Sequence, residues 1–163
     1  MNVLLGDKSR FAVEVGEPGA LRQVDMWAAG KWLTCDDNMA YVPQFRRDVL
    51  DAAARLRAGD GLSLPYDGLS AEATHRRLRQ QAGDDERFRT LLWGPTTDNV
   101  VSHVFCEQEL LLVTIEFWRE EHLRNHPEDA GAVYVAEIPR EEFIGVLEEV
   151  GAALDTHGAG SRS

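Results

Sequence analysis

Two histidines four residues apart, His122 and His126, are the first candidates for metal chemistry in this sequence. On one face of a helix, this spacing would let both imidazoles bind a single cation. The surrounding segment EEHLRNHPED is polar, Pro127 follows His126 directly, and no third ligand is evident. Leu123 also occupies the position after the first histidine where a zinc-protease helix carries its glutamate. We therefore interpret the segment as a solvated loop and predict neither a metal site nor a cofactor.

His103 and Cys106 are the candidate base and nucleophile for covalent catalysis. They lie in the alternating segment 99–106, which predicts a β-strand. Residues three apart on a strand point to opposite faces, so the imidazole and the thiol would not meet. We interpret His103 as a hydrogen-bonded core residue. Cys35 and Cys106 are interpreted as reduced, buried thiols, because neither belongs to a CxxC pair or a secreted disulfide framework.

Adjacent glutamates occur at Glu120–Glu121, Glu141–Glu142 and Glu148–Glu149. Paired carboxylates can act as general acid and base, but neighbours in sequence do not converge on one substrate atom in a helix. The segment Gly6–Ser9 lacks the first glycine and the following helix of a phosphate-binding loop. The sequence also contains no GxGxxG, GxSxG or HExxH motif. We therefore predict that the protein is not an enzyme.

The strand predicted over Leu110–Trp118 is the element around which the others are arranged. Its sequence LLLVTIEFW has no Gly, Pro, Lys or Arg, and β-branched and aromatic residues dominate its second half. Alternate residues from Leu111 to Phe117 would face a core, while the opposite face carries Glu116 and Trp118 near its end. That second face is predicted to be covered only in part.

Other elements follow from changes of period along the chain. Alternating apolar residues predict strands over 3–5, 11–15, 24–35 (a hairpin), 40–42, 99–106 and 132–138. In the hairpin, a turn at Ala29–Gly30 would set Trp27 opposite Trp32. Helical spacing and end signals predict helices from Pro43 to Gly59, from Ser70 to Ala82 on the surface, from Asp84 and Asp85 to Gly94, and after Pro139.

The order of strands, helices, strands and helix predicts an α+β fold with a mainly antiparallel sheet and helices packed on one face. Residues 1–157 are predicted to form a single domain, and residues 158–163 a flexible tail. The uncovered sheet face, which bears Glu116 and Trp118, is the natural place for a partner.

The charge is strongly negative and unevenly distributed. The formal net charge is −11, and thirteen Asp and Glu against three Arg give −10 between Glu107 and Asp155. Such a charge repels nucleic acid and anionic membranes, so neither is predicted as a partner. Acidity can serve solubility alone, or it can be complementary to a basic protein. With no membrane span or signal peptide in the sequence, a cytoplasmic protein is expected.

Several short motifs resemble those of small immunity proteins from bacterial polymorphic-toxin systems. The start LGDKSRFAVE at Leu5–Glu14 is similar to the GD-x-x-x-FAIE-like start of that family. The hairpin MWAAGK at Met26–Lys31, followed by Asp37–Asn38 and Tyr41, is similar to its W-x-x-G-x hairpin. The ending VAEIPREEF at Val135–Phe143 is similar to its I-P-x-E-E-F junction between a strand and a helix.

This resemblance implies a cytoplasmic protein that binds and neutralises the toxic domain of a cognate effector, without catalysis or a cofactor. We expect occlusion of the toxin by protein–protein contact, and a basic, nuclease-like toxin would suit the acidic surface. The predicted partner-binding carboxylates surround Trp118 as an aromatic anchor. The predicted set is Glu107, Glu109, Glu116, Trp118, Glu120 and Glu121.

Two other functions are left open by the sequence. One is a small ligand-binding or enzymatic domain with a pocket between sheet and helices, lined by His103 and Tyr134. The other is an accessory subunit that pairs through the edge of its sheet. A toxin-binding protein is expected to be a monomer or a small homo-oligomer, whereas a large oligomer would favour the accessory subunit.

Overall fold

The computed structural model describes residues 2–59, 61–81 and 86–160. Its antiparallel sheets and helices form one domain and confirm the predicted α+β class. The strands are β1 (Val3–Asp7), β2 (Phe11–Val15), β3 (Leu21–Ala28), β4 (Lys31–Trp32), β5 (Met39–Tyr41), β6 (Arg89–Thr90), β7 (Val100–Glu107), β8 (Leu110–Phe117) and β9 (Tyr134–Pro139). The α-helices are α1 (Val42–Ala58), α2 (Ala71–Gln80), α3 (Glu120–Asn125) and α4 (Arg140–Gly160).

The strands form two antiparallel sheets. In the first sheet the order is β1-β2-β3-β4, and β5 pairs with the beginning of β3. The predicted hairpin is confirmed, because Trp27 pairs with Trp32 across β3 and β4. Ala29 and Gly30 form its two-residue turn with φ of 52° and 79°, as a turn that follows the twist of the strands requires.

The second sheet has the order β6-β7-β8-β9, with β8 in its interior. A two-residue turn joins β7 to β8, and Gln108 adopts a φ of 58° there although its residue type does not favour this. The predicted short helix before Gly94 is reduced to a 3₁₀ turn at Glu86–Phe88, after which β6 begins. The start predicted for that helix, at Asp84 and Asp85, lies outside the described residues.

One core joins the two sheets to α1 and α4. The inward residues of β2 and β3, the apolar stripe of α1, alternate residues of β8 and the stripe of α4 belong to a single buried cluster. Phe11 of β2 and Phe143 of α4 lie with ring centroids 4.7 Å apart, and Phe11 also packs edge-on against Trp93. Burial of these large rings stabilises the fold.

Helix α2 covers the other face of the second sheet. Ala71 and Leu78 of α2 pack with Phe88 and Phe105 in a second buried cluster, and Ser70 caps the helix by accepting a hydrogen bond from the backbone N–H of Ala73. From the sequence, this face was expected to be available to a partner. Instead, α2 lies over it, and the part of the face that carries Glu116 faces the helix.

The segment that follows β8 contains more regular structure than predicted. The stretch after β8, interpreted as a polar loop, contains α3 and a 3₁₀ turn at Pro127–Asp129. Helix α4 spans Arg140–Gly160. Residues 161–163 lie outside the described part of the chain, and the flexible tail over 158–163 stays a prediction.

Gly6 in β1 occupies a position that another residue would fill only with strain. Its φ is +90°, and a Cβ there would collide with the backbone carbonyl oxygen of Phe11. We expect Gly6→Ala to lower the free energy of unfolding by at least about 2 kcal/mol. Gly30 provides the control, because its φ is +79° but a methyl group there would meet nothing within 4 Å. Gly30→Ala should cost about 1 kcal/mol in urea denaturation, and equal losses would contradict the steric argument.

Candidate functional site

The six residues predicted to bind a partner do not form one surface. Glu107 and Glu109 lie at the end of β7 and in the turn to β8, where Glu109 pairs with Arg140 at 3.4 Å. Trp118, Glu120 and Glu121 lie beyond the opposite end of β8. An eight-residue strand separates the two groups by roughly 23 Å. A contact centred on Trp118 would therefore leave Glu107 and Glu109 at its far margin.

Glu116, the sixth residue, turns towards α2. Its carboxylate lies 2.9 Å from Nε2 of His75 and 3.2 Å from Nε of Arg79, and 21% of the side chain is exposed. The hydrogen bond from His75 holds the pKa of Glu116 below its usual value, against the effect of burial and with help from Arg79. The charge of Glu116 is thus balanced by His75 and Arg79, and a role for Glu116 in binding a partner stays a prediction.

Trp118 has the exposure expected of an anchor. The side chain is 47% exposed, while its indole N–H donates to the backbone carbonyl of Asp98 at 2.9 Å. The guanidinium of Arg119 lies over the ring at 5.6 Å. Asp98, Glu120 and Glu121 are also exposed. We call the four residues Asp98, Trp118, Glu120 and Glu121 the Trp118 surface.

Behind the Trp118 surface, α3 is held by a buried histidine. His122 is 2% exposed, and its Nε2 lies 2.8 Å from a carboxylate oxygen of Asp129. Asp129 also accepts a hydrogen bond from the hydroxyl of Tyr134 at 2.6 Å and pairs with Lys31 at 2.9 Å. Burial opposes its charge, but these three partners together lower the pKa of Asp129 to about 2.

The other side of the His122 ring faces the loop between β4 and β5. Nδ1 lies 2.6 Å from Asp36 and 3.8 Å from Sγ of Cys35, and the ring of His126 stacks on that of His122. One potential ligand atom from each of Cys35, Asp36, His122 and His126 lies within 4.8 Å of the others. The interpretation of the two histidines as part of a solvated loop without further ligands is therefore wrong. The missing partners come from a segment far away in sequence.

His103 has the role that the sequence predicts. Its ring is fully buried under α2, with Nδ1 2.8 Å from Nδ1 of His75. Tyr134 belongs to the separate network around Asp129, so these two residues do not line a common pocket. A cavity of about 90 Å³ lies elsewhere, with Arg55 and Leu56 of α1 and Arg89 of β6 among its walls. Among the described residues, a cavity between a helix and a sheet is therefore found at α1 and β6, with neither His103 nor Tyr134 in its lining.

The first sheet has an apolar outer face that was not predicted from the sequence. Its large exposed side chains, between 45% and 59% accessible, are Leu4, Leu21, Trp32, Met39 and Tyr41. Leu21 and Tyr41 are opposed directly across β3 and β5. We call these five residues the outer face. Alternation along β3 was the available signal, although the acidity of the C-terminal third pointed to a different surface. Exposed large apolar side chains on one face can contribute to an interaction surface.

The carboxylate of Asp25 is the centre of a hydrogen-bond network beside the outer face. Its carboxylate accepts hydrogen bonds from Gln23, Trp32, Thr34 and Asn38. Burial would raise the pKa of Asp25, but these hydrogen bonds lower it below 3.8.

A carboxyl whose pKa is depressed by folding stabilises the protein above its ordinary pKa and loses that contribution as the pH falls through the folded value. We expect the stability advantage of the wild type over Asp25→Asn to shrink from about pH 5 to about pH 3. Urea denaturation across this range measures the difference between the two proteins. A difference that is independent of pH would contradict the assignment.

No protein-family model and no curated protein matches the chain. Among solved structures, the fold is similar to that of CdiI from Burkholderia dolosa AUO158. The TM-score is 0.60 at 14% sequence identity, and the alignment covers 93% of this chain and 99% of CdiI. CdiI is an immunity protein of contact-dependent inhibition. The likeness shows a shared fold over nearly the whole of both chains.

Among the described residues, no helix has the length and apolar character needed to cross a membrane.

Proposed function

We propose that this protein is an immunity protein that binds a cognate bacterial toxin domain and neutralises it by occlusion, without catalysis. The observation that carries the proposal is the fold similarity to CdiI across 93% of this chain and 99% of that one. The sequence motifs at both ends and in the first hairpin point independently to the same class. In this role the protein acts in the cytoplasm of the producing cell.

The Trp118 surface is the part of the predicted set best suited to contact the toxin. A half-exposed indole held by a hydrogen bond from its own N–H is a pre-oriented aromatic anchor, the residue type that dominates binding energy in many interfaces. Of the neighbouring carboxylates, Asp98 pairs with Arg119 at 3.9 Å, and Glu120 and Glu121 leave the rim with a negative charge. Such a rim accelerates association with a basic partner, for example a nuclease-like toxin domain.

Co-expression tests the function directly. The toxin domain encoded next to this gene is induced in a susceptible strain with this protein, with an empty vector, or with an unrelated immunity protein of similar size. We expect growth only with this protein, and co-purification of the two chains as a stable complex. Growth arrest despite soluble expression of both chains would contradict the proposal.

The proposed mode of action predicts that binding and protection go together. If the protein occludes the toxin, toxin activity in vitro should fall in proportion to the fraction bound and reach its minimum at equimolar protein. Substoichiometric inhibition would instead indicate that the protein modifies the toxin catalytically. Size-exclusion chromatography of the free protein, expected to be a monomer or small homo-oligomer, separates this function from that of an accessory subunit in a large assembly.

A further inference from the structure

The four side chains around His122 come from two segments that are distant in sequence. Cys35 and Asp36 follow β4, while His122 and His126 belong to α3 and the residue after it. Their potential ligand atoms all lie within 4.8 Å of one another. In a tetrahedral zinc site with bonds of about 2.0–2.3 Å, ligand atoms lie roughly 3.3–3.7 Å apart. The 3.8 Å between Sγ of Cys35 and Nδ1 of His122 is already close to this separation.

Both nitrogens of the His122 ring are placed to interact with a carboxylate. Both ring nitrogens face carboxylate oxygens, at 2.6 Å from Asp36 and 2.8 Å from Asp129. A carboxylate accepts hydrogen bonds and a neutral imidazole has a single N–H to donate. A neutral ring can therefore donate to only one of the two carboxylates, and its other nitrogen has a lone pair that can bind a metal ion.

The two sides of the ring differ in a way that assigns the metal to Nδ1. On the Nε2 side, Asp129 is buried and fixed by Lys31 and Tyr134. A carboxylate that accepts the remaining N–H of a histidine is the usual outer partner of a metal-binding imidazole. On the Nδ1 side lie the thiol of Cys35 and the carboxylate of Asp36, and the ring of His126 stacks on that of His122.

We propose that Cys35, Asp36, His122 and His126 bind a Zn²⁺ ion. One thiolate, one carboxylate and two neutral imidazoles make up a donor set that suits zinc, whereas Mg²⁺ and Ca²⁺ prefer oxygen ligands. The thiolate and the carboxylate together balance the charge of the ion, so the half-buried site is neutral. Asn99 donates a hydrogen bond to Asp36 at 2.8 Å and orients this ligand from outside the site.

The ion would tie α3 to the first sheet. Helix α3 has six residues, which is too short to be stable without tertiary contacts. The carboxylate of Asp36 and Nδ1 of His122 are now at hydrogen-bond distance. As two ligands of one zinc ion they would lie a little under 1 Å farther apart. The expected consequence is a more stable α3 when zinc is bound.

The test uses the untagged full chain after dialysis against EDTA and then against metal-free buffer. We expect it to take up one equivalent of Zn²⁺ by elemental analysis, and to be stabilised by Zn²⁺ but not by Mg²⁺ in thermal unfolding. Substitution by Co²⁺ should give the visible absorption of a tetrahedral ion together with a sulfur-to-cobalt charge-transfer band. Absence of binding, or cobalt binding without the sulfur band, would overturn the proposal.

The two cysteines supply a matched pair of variants. Cys35→Ser should remove the sulfur band and weaken zinc binding by at least about tenfold, while Cys106→Ser, which removes the thiol outside the site, should retain both. His126→Gln replaces a ligand that is half-exposed and so tests the site even if Cys35→Ser does not fold, as judged by circular dichroism. Zinc affinity that is unchanged in folded Cys35→Ser and His126→Gln would show surface binding and overturn the assignment. Because metal uptake is measured on the protein alone, the result is independent of toxin binding.

Discussion

Replacing Asp129 by alanine is expected to cost about 3 kcal/mol of unfolding free energy. Asp129 is 2% exposed, and its carboxylate is shared by Lys31, His122 and Tyr134. Removing one member of a buried charged network leaves the others without a partner, and such losses amount to about 3–5 kcal/mol. The loss of unfolding free energy should lie at the lower end of this range, because the side chain of Lys31 keeps some access to water. The measurement is urea denaturation in EDTA, so that a bound metal does not contribute.

The neighbouring Glu128 provides the control for this substitution. It lies one residue away in the same 3₁₀ turn but its side chain is 64% exposed. Glu128→Ala should therefore change the unfolding free energy by no more than about 0.5 kcal/mol. For Asp129→Ala, the loss of about 3 kcal/mol corresponds to a fall in melting temperature of roughly 6–12 °C for a chain of this size. Similar values for the two variants would mean that the Asp129 network does not hold α3 and β9 in place.

Mutation of the Trp118 surface is expected to abolish protection by weakening the toxin complex at least about 100-fold. The variant combines Trp118→Ala with Glu120→Lys and Glu121→Lys. Loss of the anchor should raise the dissociation rate. Reversal of the two charges should lower the association rate and its dependence on salt if the toxin is basic. Surface plasmon resonance at two ionic strengths measures both rates, and circular dichroism confirms that the variant is folded.

The two glutamates at the other end of β8 provide a matched control for the Trp118-surface variant. Glu107→Lys with Glu109→Lys makes the same change of charge at the other end of the strand. If the toxin docks at the Trp118 surface, this control should retain affinity within about threefold of the wild type, since interactions between exposed charges are largely screened beyond about 8 Å at physiological salt. Equal losses from both variants would indicate a general charge effect, and loss from the control alone would relocate the contact.

Local signals in the sequence were sufficient for most elements of the fold. The Trp27–Trp32 pair followed from a two-residue turn, and the cap at Ser70 followed from its position before a helical segment. Helix α2 shows where such signals fail. Its inward residues include Thr74 and His75, so its buried side looks polar in the sequence. The helix is held on the sheet partly by the hydrogen bonds of His75, which depend on partners in β7 and β8.

The sites depended even more on contacts between distant segments. Glu116 and Trp118 are two residues apart, yet one carboxylate is balanced by His75 and Arg79 while the indole remains exposed. No local pattern distinguishes these outcomes. Cys35 and His122 likewise lie 87 residues apart, and only the packing of α3 against the loop after β4 brings them together. Of that arrangement, only the spacing of His122 and His126 could be recognised in the sequence.

Alternate positions of β3 are under different structural constraints, because one set faces the core and the other set lies on the outer side of the sheet. Along β3, Val24 and Met26 are fixed by the core they fill. Leu21 and Tyr41, its partner across the strands, are exposed to solvent, so substitution of either residue leaves the core packing unchanged. Substitutions at such positions can therefore change what the face binds while the backbone beneath it stays the same.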